Sequence, residues 1–507
     1  MTTTGNVGIE ETLWNAADKL RGRMDSGEYK YVVLGLLFLK YISDKFEEKY
    51  HEIIEEGDAF EEDRNEYDLE KVFWVPVESR WGFIKDRAYN SNIGRYIDDA
   101  MIMIENENPA LLGVFDKRYA RIELDKCRLG ELFDLVSKIK LYGNDGGNLL
   151  GQVYEYFLGK FASTEGKGGG EFYTPKSVVK TLVEMIEPFQ GRIYDPACGS
   201  GGIFIQSKNF VEENQGRIEN LSIYGQELNP ATWKLCRMNL VIHGLDGNIG
   251  HHHADTFHND LHHTLKADYI LANPPFNISN WGGEELINDV RWQYGTPPEG
   301  NANYAWLQHM VHHLAANGVA GIVLANGSLS SNISTEGEIR KNLINTDLVE
   351  CIVALPDKLF HSTGIPVCLW ILNQNKKKHD AFRSREQEIL FIDARSLGTM
   401  VDRRLRELSD EHINQISETY HNWRKKDGEY KDVLGFCKTV NIKEIKEEHG
   451  YVLVPGRYVG VKEENDDGVS YKEKMGILTR EIGELFSESK RLENEIKTKM
   501  LEIGFEI

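Results

Sequence analysis

The chain has 507 residues, 41% hydrophobic and 10% aromatic, with a formal net charge of −21. Phosphate neutralisation requires lysine and arginine, so a uniformly basic nucleic-acid binder is excluded; any DNA contact must use selected patches or a more basic partner. The longest strongly apolar run, residues 31–39, is too short to cross a bilayer, and residues 1–8 lack the basic and apolar regions of a secretion signal. Six cysteines are scattered without a CxxC pair, which fits free thiols in a cytoplasmic protein.

Much of the charge is local. Residues 47–70 carry twelve acidic side chains against Lys49 and Arg64, whereas residues 376–406 carry nine Lys/Arg against five Asp/Glu. The acidic run reads as a solvated helical face and loop. From residue 9 to about 140 the pattern is mainly helical: Ile9, Leu13, Ala16, Ala17 and Leu20 recur at helical spacing, and residues 32–42 read as a buried helix. The polar, Gly-rich stretch 142–148 suggests a boundary.

A helix from Leu149 to about Phe161 leads to a glycine-rich loop, residues 166–170, without the GxxxxGK[ST] spacing of a phosphate-binding loop. ATP hydrolysis is therefore unsupported. Next come Glu171, Phe172, Tyr173, Thr174, Pro175 and Lys176 and an amphipathic helix over 178–186. Thr174 before Pro175 is the expected N-cap, with proline at the first helical position.

From residue 192 the pattern is α/β. Arg192 to Asp195 reads as a strand end, followed by Pro196, Ala197, Cys198, Gly199, Ser200, Gly201 and Gly202 and then a helix. Glycines at a strand-to-helix turn let a ligand approach the backbone, and the helix N-terminus offers N–H groups. The turn is not GxGxxG, so a dinucleotide is poorly supported; a ligand with an amine, a carboxylate and a nucleoside suits it. A second strand ends at Glu227, placed to accept from ribose hydroxyls, and a third short strand leads to Asp255. The fourth, residues 269–272, ends at Asn273, Pro274, Pro275 and Phe276. Two prolines stiffen that end, leaving a carboxamide, carbonyl oxygens and an aromatic ring suited to gripping a planar base that bears an amino group; a Pro-rich turn over a buried Phe is the plainer alternative.

Six histidines between His251 and His263 have neither a cysteine partner nor HExxH spacing, so no metal site is expected. Residues 277–303 form a long loop with Trp281 and Trp292, either a closing element or a surface excursion, and Lys376–Lys378 are read as a solvated connection that could meet phosphates. Strands over 319–325, 348–354, 367–372 and 389–392 extend the sheet. In the tail, Tyr471, Met475, Leu478, Ile482, Leu485, Ser489, Leu492, Ile496, Lys499 and Ile503 follow alternating four- and three-residue steps, a coiled-coil seam that wants a partner helix or this chain's own N-terminal helices.

Taken in order, these motifs resemble the S-adenosyl-L-methionine-dependent amino-methyltransferases, and specifically the gamma class of adenine N6 DNA methyltransferases, whose extra cofactor segment Glu171–Pro175 matches. The opening Trp14 to Gly22 and the whole layout are similar to the modification subunit of type I restriction–modification systems. The resemblance implies a Rossmann-like α/β methyltransferase core, with a helical N-terminal domain over 1–145, a catalytic domain over 146–400, and a helical C-terminal region over 401–507 whose tail, 470–503, is coiled-coil-like. It implies S-adenosyl-L-methionine as cofactor, held by Glu171, Phe172, Tyr173, Thr174, Pro175, Lys176, Asp195, Pro196, Ala197, Gly199, Ser200, Gly201, Gly202, Glu227 and Asp255. Asn273, Pro274, Pro275 and Phe276 would act on an adenine flipped out of double-stranded DNA. Implied partners are a specificity subunit, with two modification subunits for each, and a restriction/translocase subunit. A glutamine- or RNA-directed amino-methyltransferase and an inert assembly subunit remain as alternatives.

Overall fold

The computed structural model describes residues 7–22, 24–57, 60–121, 125–140, 148–164, 173–360, 363–378, 381–461 and 471–502. The opening is helical: α1 (Val7–Arg21), α2 (Ser26–Glu56), α3 (Arg64–Leu69), α4 (Trp81–Lys85), α5 (Ile93–Glu107) and α6 (Lys126–Ser137), followed by α7 (Leu149–Thr164). Asp25 caps α2 by accepting from the Gly27 N–H at 2.8 Å, and Gly57 ends it in the left-handed region. Residues 32–39 of α2 are buried on every side, so this helix is the axis around which the others pack. The same core takes Leu235, Met238 and Ile242 from the α/β part, so the two parts share one apolar interior.

The α/β part runs α8 (Lys176–Ile186), β1 (Gly191–Asp195), α9 (Gly202–Glu213), β2 (Leu221–Gly225), α10 (Pro230–Ile242), β3 (Gly247–Asn248), β4 (Ala267–Ala272), α11 (Asn303–His313), β5 (Leu314–Ala325), α12 (Glu336–Asn345), β6 (Val349–Ala354), β7 (Val367–Asn373), β8 (Glu388–Asp393), β9 (Thr399–Met400), β10 (Arg406–Glu407), α13 (Asp410–Arg424), β11 (Cys437–Asn441) and α14 (Ile442–Glu447). Nine strands form one sheet in the order β11-β8-β6-β7-β5-β4-β1-β2-β3, and β9 pairs with β10 alone. Neighbours from β3 to β5 are parallel, and β7 lies antiparallel between β5 and β6. The middle strands are covered on both faces, and the one carboxylate within β6, Glu350, is buried against the Arg385 guanidinium at 2.6 Å. The winding reverses between β1 and β4, and in open α/β sheets a ligand crevice forms outside the strand ends at that reversal.

The sheet does not stop near residue 400. β11 pairs with β8 in five-residue register, and α13 packs against α8 through Lys180–Asp410 (2.8 Å) and His421 on the Glu184 carbonyl (2.7 Å). Residues 401–459 thus pack as part of the α/β layer; the short, mixed stretch Cys437–Asn441 has too little alternation to read as a strand. Residues 460–507 form a separate unit whose described element is α15 (Tyr471–Glu502), with Met475, Ile482, Leu485, Leu492 and Ile496 exposed along it. No helix among the described residues is long and apolar enough to cross a membrane.

Candidate active site

The carboxyl ends of β1, β2 and β4 lie side by side, and each delivers one of the motifs. At the end of β1 the chain turns through Pro196 to Gly201 into α9. Gly201 takes φ +81° at the helix N-cap, and a Cβ there would lie 2.9 Å from Cys236 Sγ, so only glycine fits. Three polar groups brace the turn: Cys198 N–H donates to the Gln226 carbonyl (3.0 Å), Thr256 Oγ1 to the Pro196 carbonyl (2.6 Å), and Asn239 Nδ2 to the Ser200 carbonyl (2.9 Å).

Asp195 is 1% exposed and accepts from the Ala197 N–H at 2.9 Å. Burial pushes its carboxyl up to about 8, the Ala197 N–H pulls back, and the charge on Glu227 adds to the rise. This is a carboxyl held close to neutral that an incoming cation would ionise. Glu227, at the end of β2, spans two backbone donors, Gly199 N–H at 3.0 Å and Asn229 N–H at 2.8 Å, which aims its carboxylate across the mouth of the turn. Asp255 accepts from the Phe257 N–H (2.8 Å) and bonds His258 Nδ1 (3.1 Å) at the rim of the same cleft.

Two cavities meet here. A narrow recess is lined by Tyr173, Thr174, Asp195, Ala197, Gly199 and Asn273, among others. A cleft of about 910 Å³ opens beside it and takes in Glu227, Asp255, Asn273, Pro274, Pro275 and Phe276. Ala197 and Asn273 line both, so they mark the point where the occupants of the two spaces would meet.

At the end of β4, Asn273 Nδ2 donates to Thr174 Oγ1 at 3.0 Å, while its Oδ1 is buried without a hydrogen-bond partner among the described residues. A buried acceptor left unpaired costs about 1–3 kcal/mol, so the vacancy is suited to a ligand donor. Beyond Phe276 the chain reverses at Asn277, whose φ of +61° asparagine tolerates. A reciprocal pair holds that exit: Asn277 N–H donates to Asn303 Oδ1 (2.8 Å) and Asn303 Nδ2 to Asn277 Oδ1 (2.9 Å). Phe276 meets Phe360 edge to face, 6.0 Å between centroids and 90° between planes.

The expected segment before α8 is only partly visible: Glu171 and Phe172 lie outside the described residues. Tyr173 and Thr174 join the recess, and Lys176 is exposed at the start of α8. The expected N-cap role of Thr174 is corrected: Pro175 occupies the cap position without a side-chain bond, and the Thr174 hydroxyl serves Asn273 instead. Lys376 is also corrected; it is buried against Asp347 at 2.6 Å and meets no solvent phosphate.

Several site residues had no sequence signal. Gln226, wholly buried, ties the Asp255 loop to the sheet by donating to the Asn259 carbonyl (2.8 Å) and accepting from Leu261 N–H (3.0 Å). Phe360, Tyr31, Lys30 and Arg118 also line the cleft. The loop after Phe276 is anchored at its indoles, with Trp281 and Trp292 buried beside Phe257 and Arg291 clamping the Thr256 and Phe257 carbonyls at 3.2 and 2.6 Å, while Ile287 and Val290 stay exposed on the surface. Of the clustered histidines, His262 is buried on the Gly225 carbonyl (2.8 Å), while His251, His252 and His263 are exposed. Asp260, His309 and His313 converge, but His309 already bonds Tyr194 and Arg291, so the group reads as a polar brace beneath β1.

Two family models cover the chain: N-6 DNA Methylase over residues 145–467 and HsdM N-terminal domain over residues 9–139. The HindI type I restriction enzyme methylase subunit of Haemophilus influenzae is 48% identical over 425 residues, 82% of this chain and 94% of that one. The MjaIX methylase subunit of Methanocaldococcus jannaschii is 40% identical, covering 98% of this chain and 92% of that one. A crystal structure of a type I restriction-modification methyltransferase subunit from Streptococcus thermophilus superposes with a TM-score of 0.75 at 27% identity, over 90% of this chain and 99% of that one. With its strand ends, its asparagine-proline-proline-phenylalanine corner and these relatives in agreement, the chain belongs to the N-6 DNA methylase family, as a methylase subunit of the type I restriction-modification kind.

Proposed function

We propose that this chain transfers a methyl group from S-adenosyl-L-methionine to the exocyclic N6 of an adenine everted from double-stranded DNA, acting inside the cell as the modification subunit of a type I assembly. The observation that carries the reading is the buried Asn273 Oδ1, without a partner among the described residues, where recess and cleft meet.

The donor set fits the cofactor. Asp195 offers a buried carboxyl to an ammonium group, the first turn of α9 offers backbone N–H groups to a carboxylate, and Glu227 offers oxygens to ribose hydroxyls. Tyr173, Pro196, Ala197, Gly199, Ser200 and Gly202 would wall that space, with Asp255 toward the adenine. When bound, the cofactor supplies an electrophilic methyl group.

The chain's own residues do the rest. The adenine amine is a poor nucleophile because its lone pair is conjugated with the ring. Asn273 Oδ1 and the Pro274 carbonyl accept its two N–H bonds, which localises the lone pair and stabilises positive charge developing on nitrogen. Pro275 stiffens the corner, and no covalent nucleophile is needed. Phe276 stacks on the everted base, worth roughly 1–3 kcal/mol, with Phe360 at its edge.

The helical N-terminal part supplies the DNA strand with a cation. Among the residues lining the cleft, Arg118 holds its guanidinium 5.2 Å from the Tyr31 ring, while Lys30, 4.9 Å from the same ring, is buried beneath the surface. The apolar seam exposed on α15 is the docking surface for a specificity subunit, two copies of this chain to one such subunit, and a restriction/translocase subunit completes the assembly. Glutamine- or RNA-directed transfer has less support, since the relatives and the helical N-terminal part belong to DNA-modifying systems. The test is labelled methyl transfer to unmodified plasmid DNA, by this chain with its partner, mapped at base resolution; N6-methyladenine at a defined site is expected, and methylated protein or RNA without methylated DNA would overturn the reading.

A further inference from the structure

We propose that Thr174 is a positioning residue for methyl transfer: its hydroxyl holds the Asn273 carboxamide with the oxygen turned toward the reacting amine. The inference rests on the methyl-transfer reading of the site and adds a second residue to its catalytic corner.

A carboxamide presents an acceptor at one end and a donor at the other, and the two ends are nearly the same shape. The amine of a target base is a donor. Oxygen forward gives a hydrogen bond, whereas nitrogen forward sets two donors face to face. Something must choose between the two orientations. In this protein Asn273 Nδ2 donates to Thr174 Oγ1 at 3.0 Å, and Oδ1 is buried without a partner among the described residues. With an amine in place, amine to Oδ1 and Nδ2 to Thr174 is the arrangement that satisfies all three groups.

The local structure frees Thr174 for this task and holds it there. Helix α8 takes no side-chain cap, so the hydroxyl is not spent on its N–H groups. Pro175 follows with φ −54° and is buried, and a residue before proline is confined to extended backbone, which limits where the hydroxyl can point. Thr174 also lines the recess together with Asp195 and Gly199. The segment that faces the cofactor recess therefore also sets the angle of the catalytic amide, although 99 residues separate the two side chains in sequence.

The test compares Thr174→Val, which keeps the shape and removes the acceptor, with Thr174→Ser, which keeps it, in the full chain co-purified with its specificity partner. Thr174→Val leaves Nδ2 buried without a partner, so kcat for methyl transfer to plasmid DNA, read at saturating S-adenosyl-L-methionine, falls roughly ten- to a hundredfold, whatever change calorimetry finds in cofactor affinity. Thr174→Ser recovers most of the rate. An unchanged melting temperature and undiminished co-purification with the specificity partner certify that each variant is folded. Wild-type kcat in Thr174→Val, equal losses in both variants, or a loss confined to cofactor affinity overturns the proposal. Asn273→Ala run alongside separates the levels: if it is inactive while Thr174→Val is fully active, the positioning role alone is wrong; if Asn273→Ala methylates normally, the reading of the site is wrong.

Discussion

Replacing Asp195 with asparagine should exchange cofactor binding for stability. The carboxyl is 1% exposed, and its pKa rises from the ordinary 3.8 to about 8, first through burial and then through the Glu227 charge, against the opposing Ala197 N–H. Between those two values the folded chain keeps a proton that the unfolded chain has released, so the unfolded state binds fewer protons and stability falls as pH rises. The contribution is fully present below the unfolded pKa and is gone once pH has passed the folded one. At about 1.4 kcal/mol per pKa unit, a rise from 3.8 to about 8 corresponds to on the order of 6 kcal/mol lost across that window. Asparagine keeps an oxygen for the Ala197 N–H and carries no titrating proton. The Asp195→Asn chain, free of cofactor, should therefore melt slightly above wild type near pH 5 and at a much higher temperature than wild type near pH 8.5, the gap widening with pH and all other titrations cancelling in the difference. Calorimetry should show S-adenosyl-L-methionine binding weakened by at least about tenfold, because a neutral amide cannot pair with an ammonium group. Melting curves for the two proteins that fall in parallel from pH 5 to 8.5 would refute the argument.

Two further predictions concern the partners. Arg118→Gln should lower DNA affinity of the assembled complex and flatten the slope of log K against log salt by about 0.9, one phosphate contact, with cofactor affinity unchanged; an unchanged slope would remove Arg118 from the DNA path. Ending the chain at Gly468 removes α15 and should abolish co-purification with the specificity subunit while cofactor binding by the remaining chain persists; undiminished co-purification would remove the tail as the docking element.

What could be read in advance divides by sequence distance. Asp195, Glu227 and Asn273 each close a strand, and a strand end that binds a ligand advertises itself within a few residues: an apolar run, a polar side chain, then glycine or proline. Phe360, Tyr31 and Arg118 reach the cleft from remote segments, and nothing in their immediate neighbours reports it, whereas Thr174 is expected at the cofactor through the resemblance carried by Glu171–Pro175 and lines the recess. Thr174 shows the limit most plainly, since its position before Pro175 is equally that of a helix cap, and the competing bond to Asn273 comes from a strand 99 residues away. Burial inverted two local readings. Lys376, inside a run of lysines, turns inward to Asp347, and in the loop after Phe276 the indoles of Trp281 and Trp292 turn inward to Phe257. The sheet's far edge was misjudged because β11 is short and mixed in character and is held in place by β8 rather than by its own pattern.

The central claim is that Asn273 grips the amine that receives the methyl group. Its direct test is Asn273→Ala, assayed in the intact complex for labelled methyl transfer to plasmid DNA and, separately, for S-adenosyl-L-methionine binding by calorimetry. Methyl transfer abolished with cofactor affinity largely intact is the predicted result. Methyl transfer at the wild-type rate would contradict it.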